Sequence, residues 1–564
     1  MFKCYSWRWL IYYFVIILCI GNLYFMHNEV LGGCDRLLDK ALMLSVCLID
    51  VVLLSLLSLA VTWGRLGPSL WMTYLLSMVL SISNVVYSRF FYNYLSFDCF
   101  SVVGEFGISF YCQYADEAFR IRDVFYLISL IVFYLCIRRV RSISLGNHVL
   151  FVVGMFLTSA ILQQGVSFAK ERKLQLIPDT SQFCRELSLH PRDAISCRSG
   201  LIISQLYTLI NQQKDIELTE NEEAYVKSHF EQDLIGKDSI DFRNPKNVVF
   251  ILVESYLSCV TDSLYDGVEI TPFLNSLKQQ PYVYYNGQMN SDISIGESSD
   301  GQFIYMTGMF PLEDVYTINV AKSKRYLSLP ELLKRDYSFT TMITLPTPPD
   351  CWQQLNMCRA YGIDSIYSSY DVAPDRDRLT DQEVFHLAKV HQESIKTPFF
   401  DLILTISMHS PYDASPFNSI VNGEEYSVEF KNYLSMCHYT DQQIKDYFDW
   451  TRQIGLWDNT VFIIVADHQA HDYFLKSSAK LLGENLIPFF IVDTGRDFSE
   501  MYRKECSQID VFTTLVEYLH LNSPWKGMGN NILNGDITSS TDRTIYKEMA
   551  ARIIRSNYFE QYFK

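Results

Sequence analysis

Charge is scarce in this chain. Only 20% of its 564 residues are Asp, Glu, Lys or Arg, which excludes a disordered polyelectrolyte or a coiled coil. Basic residues are the scarcer sign. Forty-seven Lys and Arg stand against 63 Asp and Glu, a net charge of −16, and a nucleic-acid partner needs the opposite balance. Cysteine is thin as well: 14 residues are too few for a disulfide scaffold. Glycine (25) and proline (17) are too rare for a collagen. What abounds is apolar, with 49% hydrophobic and 15% aromatic residues. The length exceeds one compact domain and predicts two or more.

The apolar residues crowd into the first 169 positions. Five runs there predict membrane spans: Trp9–Met26, Ala41–Trp63, Pro68–Ser88, Val124–Ile137 and His148–Ala169. No small-residue cleavage site follows the first, so it reads as an anchor and not a signal peptide. Lys3, Arg8, Arg65, Arg138, Arg139 and Arg141 occupy alternate loops, and the others mix signs. The positive-inside rule then predicts an internal N-terminus and places everything after residue 169 outside. The aromatic loop from Arg89 to Asp123 is expected along the outer interface. Asp50 is the one acid inside a span, read as a polar group paired within the bundle in preference to an ion path.

Residues 170–245 read as a polar linker with helical stretches Ser199–Lys214 and Asn221–Asp233, packing on the domain behind it. The pattern then changes. Asn247–Val253, Phe399–Ile406, Thr460–Ala466 and Leu486–Val492 are short β-rich runs. Thr271–Gln279, Ser328–Arg335, Asp377–Lys396, Tyr426–Ile454 and Gln508–Leu519 read as helices. This alternation predicts an α/β domain over 246–564, its mostly parallel sheet sandwiched by helices. Ligands bind beyond the carboxyl ends of such strands, and three of those ends carry Glu254, His409 and the pair Asp467-His468.

Two carboxylates and an imidazole suit Mn²⁺, Mg²⁺ or Zn²⁺. A cation there polarises a phosphoryl or sulfuryl oxygen and acidifies a bound hydroxyl. The candidate hydroxyl lies in Ser294-Ile-Gly-Glu-Ser-Ser-Asp-Gly-Gln-Phe303, a loop opening a helix. The competing reading makes Ser298 or Ser299 a mere helix cap.

Five motifs occur together: Val253-Glu254-Ser255, Gly296-Glu-Ser298-Ser-Asp300, Ser407-Met-His409-Ser-Pro411, Ala466-Asp467-His468 and Ile509-Asp510-Val-Phe-Thr-Thr-Leu515. Their order resembles the lipoteichoic acid synthase and phosphoglycerol transferase branch of the alkaline phosphatase/sulfatase superfamily. The resemblance implies a five-helix membrane domain followed by a sulfatase-like one. It implies Glu254, Ser298, Asp467 and His468 as metal ligands, Mn²⁺ as the metal, and Ser298 as the nucleophile. His409 would contact the transferred phosphate as general acid or base, and Trp352 would line the head-group pocket. The implied reaction moves a phospho-head group from a membrane phospholipid, through Ser298, to a glycan or glycolipid acceptor on the outer side of a bacterial cell membrane, periplasmic or extracellular.

The chain also departs from that pattern. The lipoteichoic acid enzymes have a His-x-Asp stretch before the tryptophan and an arginine two residues after it. Here the residues are Leu345 and Thr347, then Gln354, which offers phosphate no bidentate cationic grip. Phosphoethanolamine is therefore a rival head group at the Trp352–Gln354 substrate site. A hydrolase is the other rival, although Ser298-Ser-Asp-Gly-Gln302 lacks the Cys/Ser-x-Pro-x-Arg motif of common sulfatases. His471 and Asp472 are expected at a loop surface in preference to lining the pocket, the cluster Lys322-Ser-Lys-Arg325 in a solvated loop in preference to a lipid-phosphate contact, and His438 as a structural histidine. Cys184–Cys197 and Cys351–Cys358 are close enough in sequence to bridge.

Overall fold

The computed structural model describes residues 2–30, 37–91, 94–95, 120–137, 145–171, 200–203, 205–206, 216–234, 245–313, 315–376, 378–396, 398–410, 412, 415–471, 475, 485–501, 503–534 and 540–563. The chain divides into two compact units. One comprises Met1–Gln213 with Glu313–Val315, and the other Lys214–Leu312 with Tyr316–Lys564.

The first unit is helical, with α1 (Phe2–Val30), α2 (Leu37–Val61), α3 (Leu66–Phe91), α4 (Val124–Ile137) and α5 (Leu145–Glu171). A helix stands at each of the five expected places. Three of them, over Tyr12–Val30, Lys40–Val61 and Leu66–Arg89, are long and apolar enough to cross a membrane. The expectation of five full spans is corrected to that extent. The 14 residues of α4 rise only about 21 Å, and a bilayer core is about 30 Å thick. The apolar part of α5 is the shorter Val149–Gln164.

Asp50 is paired inside this unit, accepting the N–H groups of Leu201 and Ile202, both at 3.0 Å. That agrees with the pairing preferred from sequence. The loop residues 96–119, the basic residues Arg138, Arg139 and Arg141, and most of the stretch Ser199–Lys214 lie outside the described residues.

The second unit is built on an eight-stranded sheet, with a separate hairpin of β2 (Leu264–Tyr265) and β3 (Val268–Glu269). The sheet comprises β1 (Asn247–Val253), β4 (Val283–Asn290), β5 (Thr340–Thr344), β6 (Ser365–Tyr367), β7 (Phe399–Leu404), β8 (Thr460–Ala466), β9 (Ile487–Val492) and β10 (Cys506–Ser507). Their order is β10-β4-β9-β8-β1-β7-β5-β6. All pairings are parallel except those of β9 with β4 and β8.

The four strands expected from sequence are found within two residues of their predicted ends. All of β1 and β8 is buried, as continuous apolar runs in the middle of a sheet should be. The helix over Asp381–Gln392 packs against β5, β7 and the long helix Val428–Gln453. The stretch Asn221–Asp233 forms a helix over Glu220–Phe230, seated on this unit by an Arg552–Glu222 ion pair and a Gln232 N–H bond to the Pro524 carbonyl.

Candidate active site and metal centre

Strand register assembles the site. Val253 is opposite Ala466, so the next residues, Glu254 and Asp467, leave adjacent parallel strands side by side. The chain turns sharply after β1, with Ser255 at φ +50°. Its N–H donates to Asp467 Oδ1 at 2.8 Å, its hydroxyl donates to Glu254 Oε1 at 2.8 Å, and Tyr433 OH donates to its carbonyl at 2.9 Å. Thr405, just past β7, accepts the Glu254 N–H at 3.0 Å. Gln508 donates its side-chain amide to the Asp467 carbonyl at 2.6 Å. The turns carrying both carboxylates are thus fixed by side chains around them.

His468 Nδ1 lies 2.7 Å from the Gln469 carbonyl, which can only accept. Nδ1 therefore carries the ring proton, and in the neutral ring Nε2 keeps its lone pair. That Nε2 lies 3.6 Å from both Glu254 Oε1 and Asp467 Oδ2, and 3.2 Å from Ser298 Oγ. One ligand atom each from Glu254, Asp467 and His468 falls within 4.8 Å of the others. Burial, then the charge of Asp467, raises the Glu254 carboxyl well above its ordinary value. Two buried carboxylates this close demand a compensating charge. The donor set of two carboxylates, one imidazole and one hydroxyl fits a hard or borderline divalent cation.

Ser298 opens the helix Ser298–Thr307 but does not cap it. The cap position is Glu297, at φ +45°, and its side chain makes no capping bond. Ser299 Oγ donates to the Gly296 carbonyl at 2.7 Å, while Ser298 Oγ faces His468. Neither serine is the cap that the competing sequence reading proposed. Asp300 folds the loop by accepting the N–H groups of Ser294 (3.0 Å) and Gly296 (2.9 Å), and burial raises it to about 7. Gly301 lets the helix approach β8: a Cβ there would stand 2.2 Å from the Asp467 carbonyl oxygen. Tyr305 OH ties the same helix to the Ala466 carbonyl at 2.7 Å.

His409 is half-buried, its Nδ1 donating to the Ser410 carbonyl at 2.6 Å. Burial first, and then the Arg378 cation, lowers it to about 3. Pro411 lies outside the described residues. Gln354 is buried in a reciprocal amide pair with Gln302 of the Ser298–Thr307 helix, at 2.7 and 3.1 Å. Both of its amide groups are thereby engaged with protein. Trp352 and Gln353 stand together at φ +53° and +57°, and the Trp352 ring is 6.1 Å from that of Tyr316.

Sequence reading missed three residues that the fold brings here. His471 was expected at a surface, yet its Nε2 is 3.4 Å from Glu297 Oε2, and the Glu297 carboxylate stands directly before Ser298. Arg378 adjoins an anchored segment: the Leu379 N–H donates to the Pro346 carbonyl, and Asp381 accepts the N–H groups of Ile406 and Ser407. No local pattern marks Glu297 or Arg378, whereas His471 follows the Asp467-His468 pair closely.

Asp472 lies outside the described residues. His438 Nδ1 donates to the Ile270 carbonyl at 2.8 Å, as a structural histidine would. The basic cluster is not merely solvated: Lys324 Nζ reaches Asn557 at 2.9 Å, and Arg325 lies 3.7 Å above the Phe563 ring. Cys351 and Cys358 form no bridge with each other, and Cys184 and Cys197 lie outside the described residues. Asp510 is structural, accepting the N–H groups of Ser507 and Asn530.

Known proteins share parts of this chain's sequence and fold. The sulfatase family model matches residues 246–521. The lipoteichoic acid synthase of Staphylococcus saprophyticus is 24% identical over 501 residues, spanning 83% of this chain and 75% of its own. Lipoteichoic acid synthase 2 of Bacillus subtilis is 24% identical over 476 residues, spanning 80% and 71%. The integral membrane lipooligosaccharide phosphoethanolamine transferase A of Neisseria meningitidis shares the fold over 93% of this chain and 98% of its own, at a TM-score of 0.52 and 12% identity. Residues 246–521 thus match the sulfatase family, and the chain is similar over most of its length to lipoteichoic acid synthases.

Proposed function

We propose that this phosphotransferase moves a phosphoglycerol-type head group from a membrane phospholipid to a glycan or lipid acceptor outside the cell membrane, through a covalent Ser298 intermediate. Residues 1–169 anchor it in the membrane with the N-terminus inside, 170–245 link, and 246–564 carry the chemistry. The observation that supports this most is Ser298 Oγ lying 3.2 Å from His468 Nε2, beside Glu254 and Asp467.

Glu254, Asp467, His468 and Ser298 would hold one divalent cation, Mn²⁺ by family resemblance. When bound, the cation acidifies the serine hydroxyl and screens charge on the phosphoryl oxygens. Ser298 Oγ attacks phosphorus, its bond to phosphorus forms, and the bond to the diacylglycerol oxygen breaks. His409 takes the proton that Ser298 Oγ loses and hands it to the leaving oxygen, then carries the proton of the acceptor hydroxyl to Ser298 Oγ in the second step. That hydroxyl attacks phosphorus, and Ser298 Oγ leaves. The Ser298–Thr307 helix N-terminus points its backbone N–H groups at the anionic phosphate. Arg378 adds positive charge beside His409. An anchor in the same bilayer as the donor raises its effective concentration.

Ser298→Ala in purified full-length protein should cut diacylglycerol release from phosphatidylglycerol by roughly 10³-fold or more, with melting temperature unchanged. A fully active variant rejects the assignment. The engagement of Gln354 by Gln302 supports a second reading, phosphoethanolamine as the group moved. That reading predicts release from phosphatidylethanolamine in preference to phosphatidylglycerol.

A further inference from the structure

Lys322, Lys324 and Arg325 follow the short helix Thr317–Ala321, and they divide their partners. Lys324 and Arg325 reach the C-terminal segment, at Asn557 and the Phe563 ring. Lys322 reaches the Cys351–Gln353 turn instead. Among the described residues its ammonium meets one acceptor, Gln353 Oε1, at 3.4 Å, a neutral amide oxygen that also takes an N–H of Asn356 at 2.9 Å. A half-buried ammonium so placed keeps N–H donors for a guest. The turn itself is strained, with Trp352 at φ +53° and Gln353 at φ +57°. Such strain persists only where surrounding structure enforces it, and it clusters at functional sites. Trp352 is half-buried, with buried Tyr316 behind it at 6.1 Å between ring centres. The helix Thr317–Ala321 packs on this turn and on the Ser298–Thr307 helix. Gln302 lies one helical turn from Ser298 on the same face, and helical side chains lean toward the N-terminus. Its amide pair with Gln354 therefore sets the Trp352–Gln354 wall beside the nucleophile. Gln354 is engaged in that pair, and Lys322 brings the positive charge to the turn.

We propose that Lys322 selects the head group: its ammonium donates to a hydroxyl of an uncharged, hydroxyl-bearing head group lying against Trp352, and it repels a head group that carries an ammonium of its own. This role rests on the phosphotransferase reading and names the residue that decides between glycerol and ethanolamine. An aromatic wall alone attracts an ammonium guest. A lysine at the same wall reverses that preference, because like charges repel more strongly where bulk water is partly excluded. The lysine ammonium has three donors and no acceptor. It therefore pairs with the hydroxyl oxygens of glycerol and offers nothing to the N–H donors of ethanolamine. Its charge is compact and its stem flexible, which suits a single hydroxyl better than a bidentate grip on phosphate.

The test titrates the full-length protein in detergent with Mn²⁺ present, by calorimetry, against glycerol phosphate and against phosphoethanolamine. Both compounds carry the same phosphate, so the ratio of their affinities reads the head group alone. The wild type should bind glycerol phosphate tighter by about tenfold or more. Lys322→Glu should bring the two affinities together or invert them. Lys322→Met, which keeps the length without the charge, should narrow the gap, and Lys322→Arg should keep the wild-type order. All three should melt with the wild type. In turnover, Lys322→Glu should raise KM for phosphatidylglycerol and leave kcat nearly unchanged, because the contact is made equally before and during reaction. An affinity ratio that is the same in the wild type, Lys322→Met and Lys322→Glu overturns the role of Lys322 and leaves the phosphotransferase reading standing. A wild type that prefers phosphoethanolamine does the same. Failure of the wild type to bind either compound overturns both.

Discussion

Ser255, Glu297, Trp352 and Gln353 carry side chains at positive φ. Each such residue costs on the order of 1–3 kcal/mol, and each lies at the end of a strand or the start of a helix around the site. Hydrogen bonds hold Ser255 there, and the Gln302–Gln354 pair holds the turn after Trp352. Gln354→Ala strands the buried Gln302 amide and should cost about 1–3 kcal/mol in denaturant unfolding. The double change Gln302→Ala/Gln354→Ala should cost less than the two single changes summed, because it strands neither amide. Glu254, Ser298, His409, Asp467 and His468 were legible in the sequence because apolar strands point at them or a short motif encloses them. Glu297 and His471 were not, because a carboxylate and an imidazole 174 positions apart meet only through the fold.

The Ser298–Thr307 helix sets the nucleophile by resting on the end of β8, and the contact allows no side chain at Gly301. Gly301→Ala should lose about 1–3 kcal/mol of stability through overpacking and reduce manganese affinity, read by melting and metal titration. A second element joint is the helix Pro272–Leu277, whose Phe273 and Leu274 N–H groups donate to Asp441 of the Val428–Gln453 helix. Burial raises the Asp441 carboxyl from 3.8 to about 6. An acid raised on folding contributes stability below its ordinary value and loses it as pH climbs through the raised one. Between pH 4 and pH 7 the wild type should therefore lose about 2 kcal/mol relative to Asp441→Asn, measured by unfolding at both pH values.

At this scale β1 and β8 were legible as unbroken apolar runs. β4 was not, because Asn286 and Gly287 interrupt it and its register shifts between Asn286 and Met289. β6 and β10 are three and two residues long, too short to show a period.

Across the whole molecule, an apolar helical unit and a sulfatase-family unit share one chain. The division was legible because a bilayer and a sheet interior demand different run lengths, about 20 residues against four to eight. The number of crossings was less so, since α4 is helical and apolar but too short to span alone. The account predicts that a protease added outside intact cells removes the 246–564 part and leaves the N-terminal unit in the membrane; complete protection would place the chemistry on the inner face. The central claim, that Ser298 carries the head group between donor and acceptor, is tested most directly by mass spectrometry of the full-length protein incubated with Mn²⁺ and mixed phospholipids without acceptor. The account predicts one phospho-head group on the Ser298 peptide, absent from Ser298→Ala. Turnover of phospholipid with Ser298 unmodified, or a label that persists in Ser298→Ala, would contradict it.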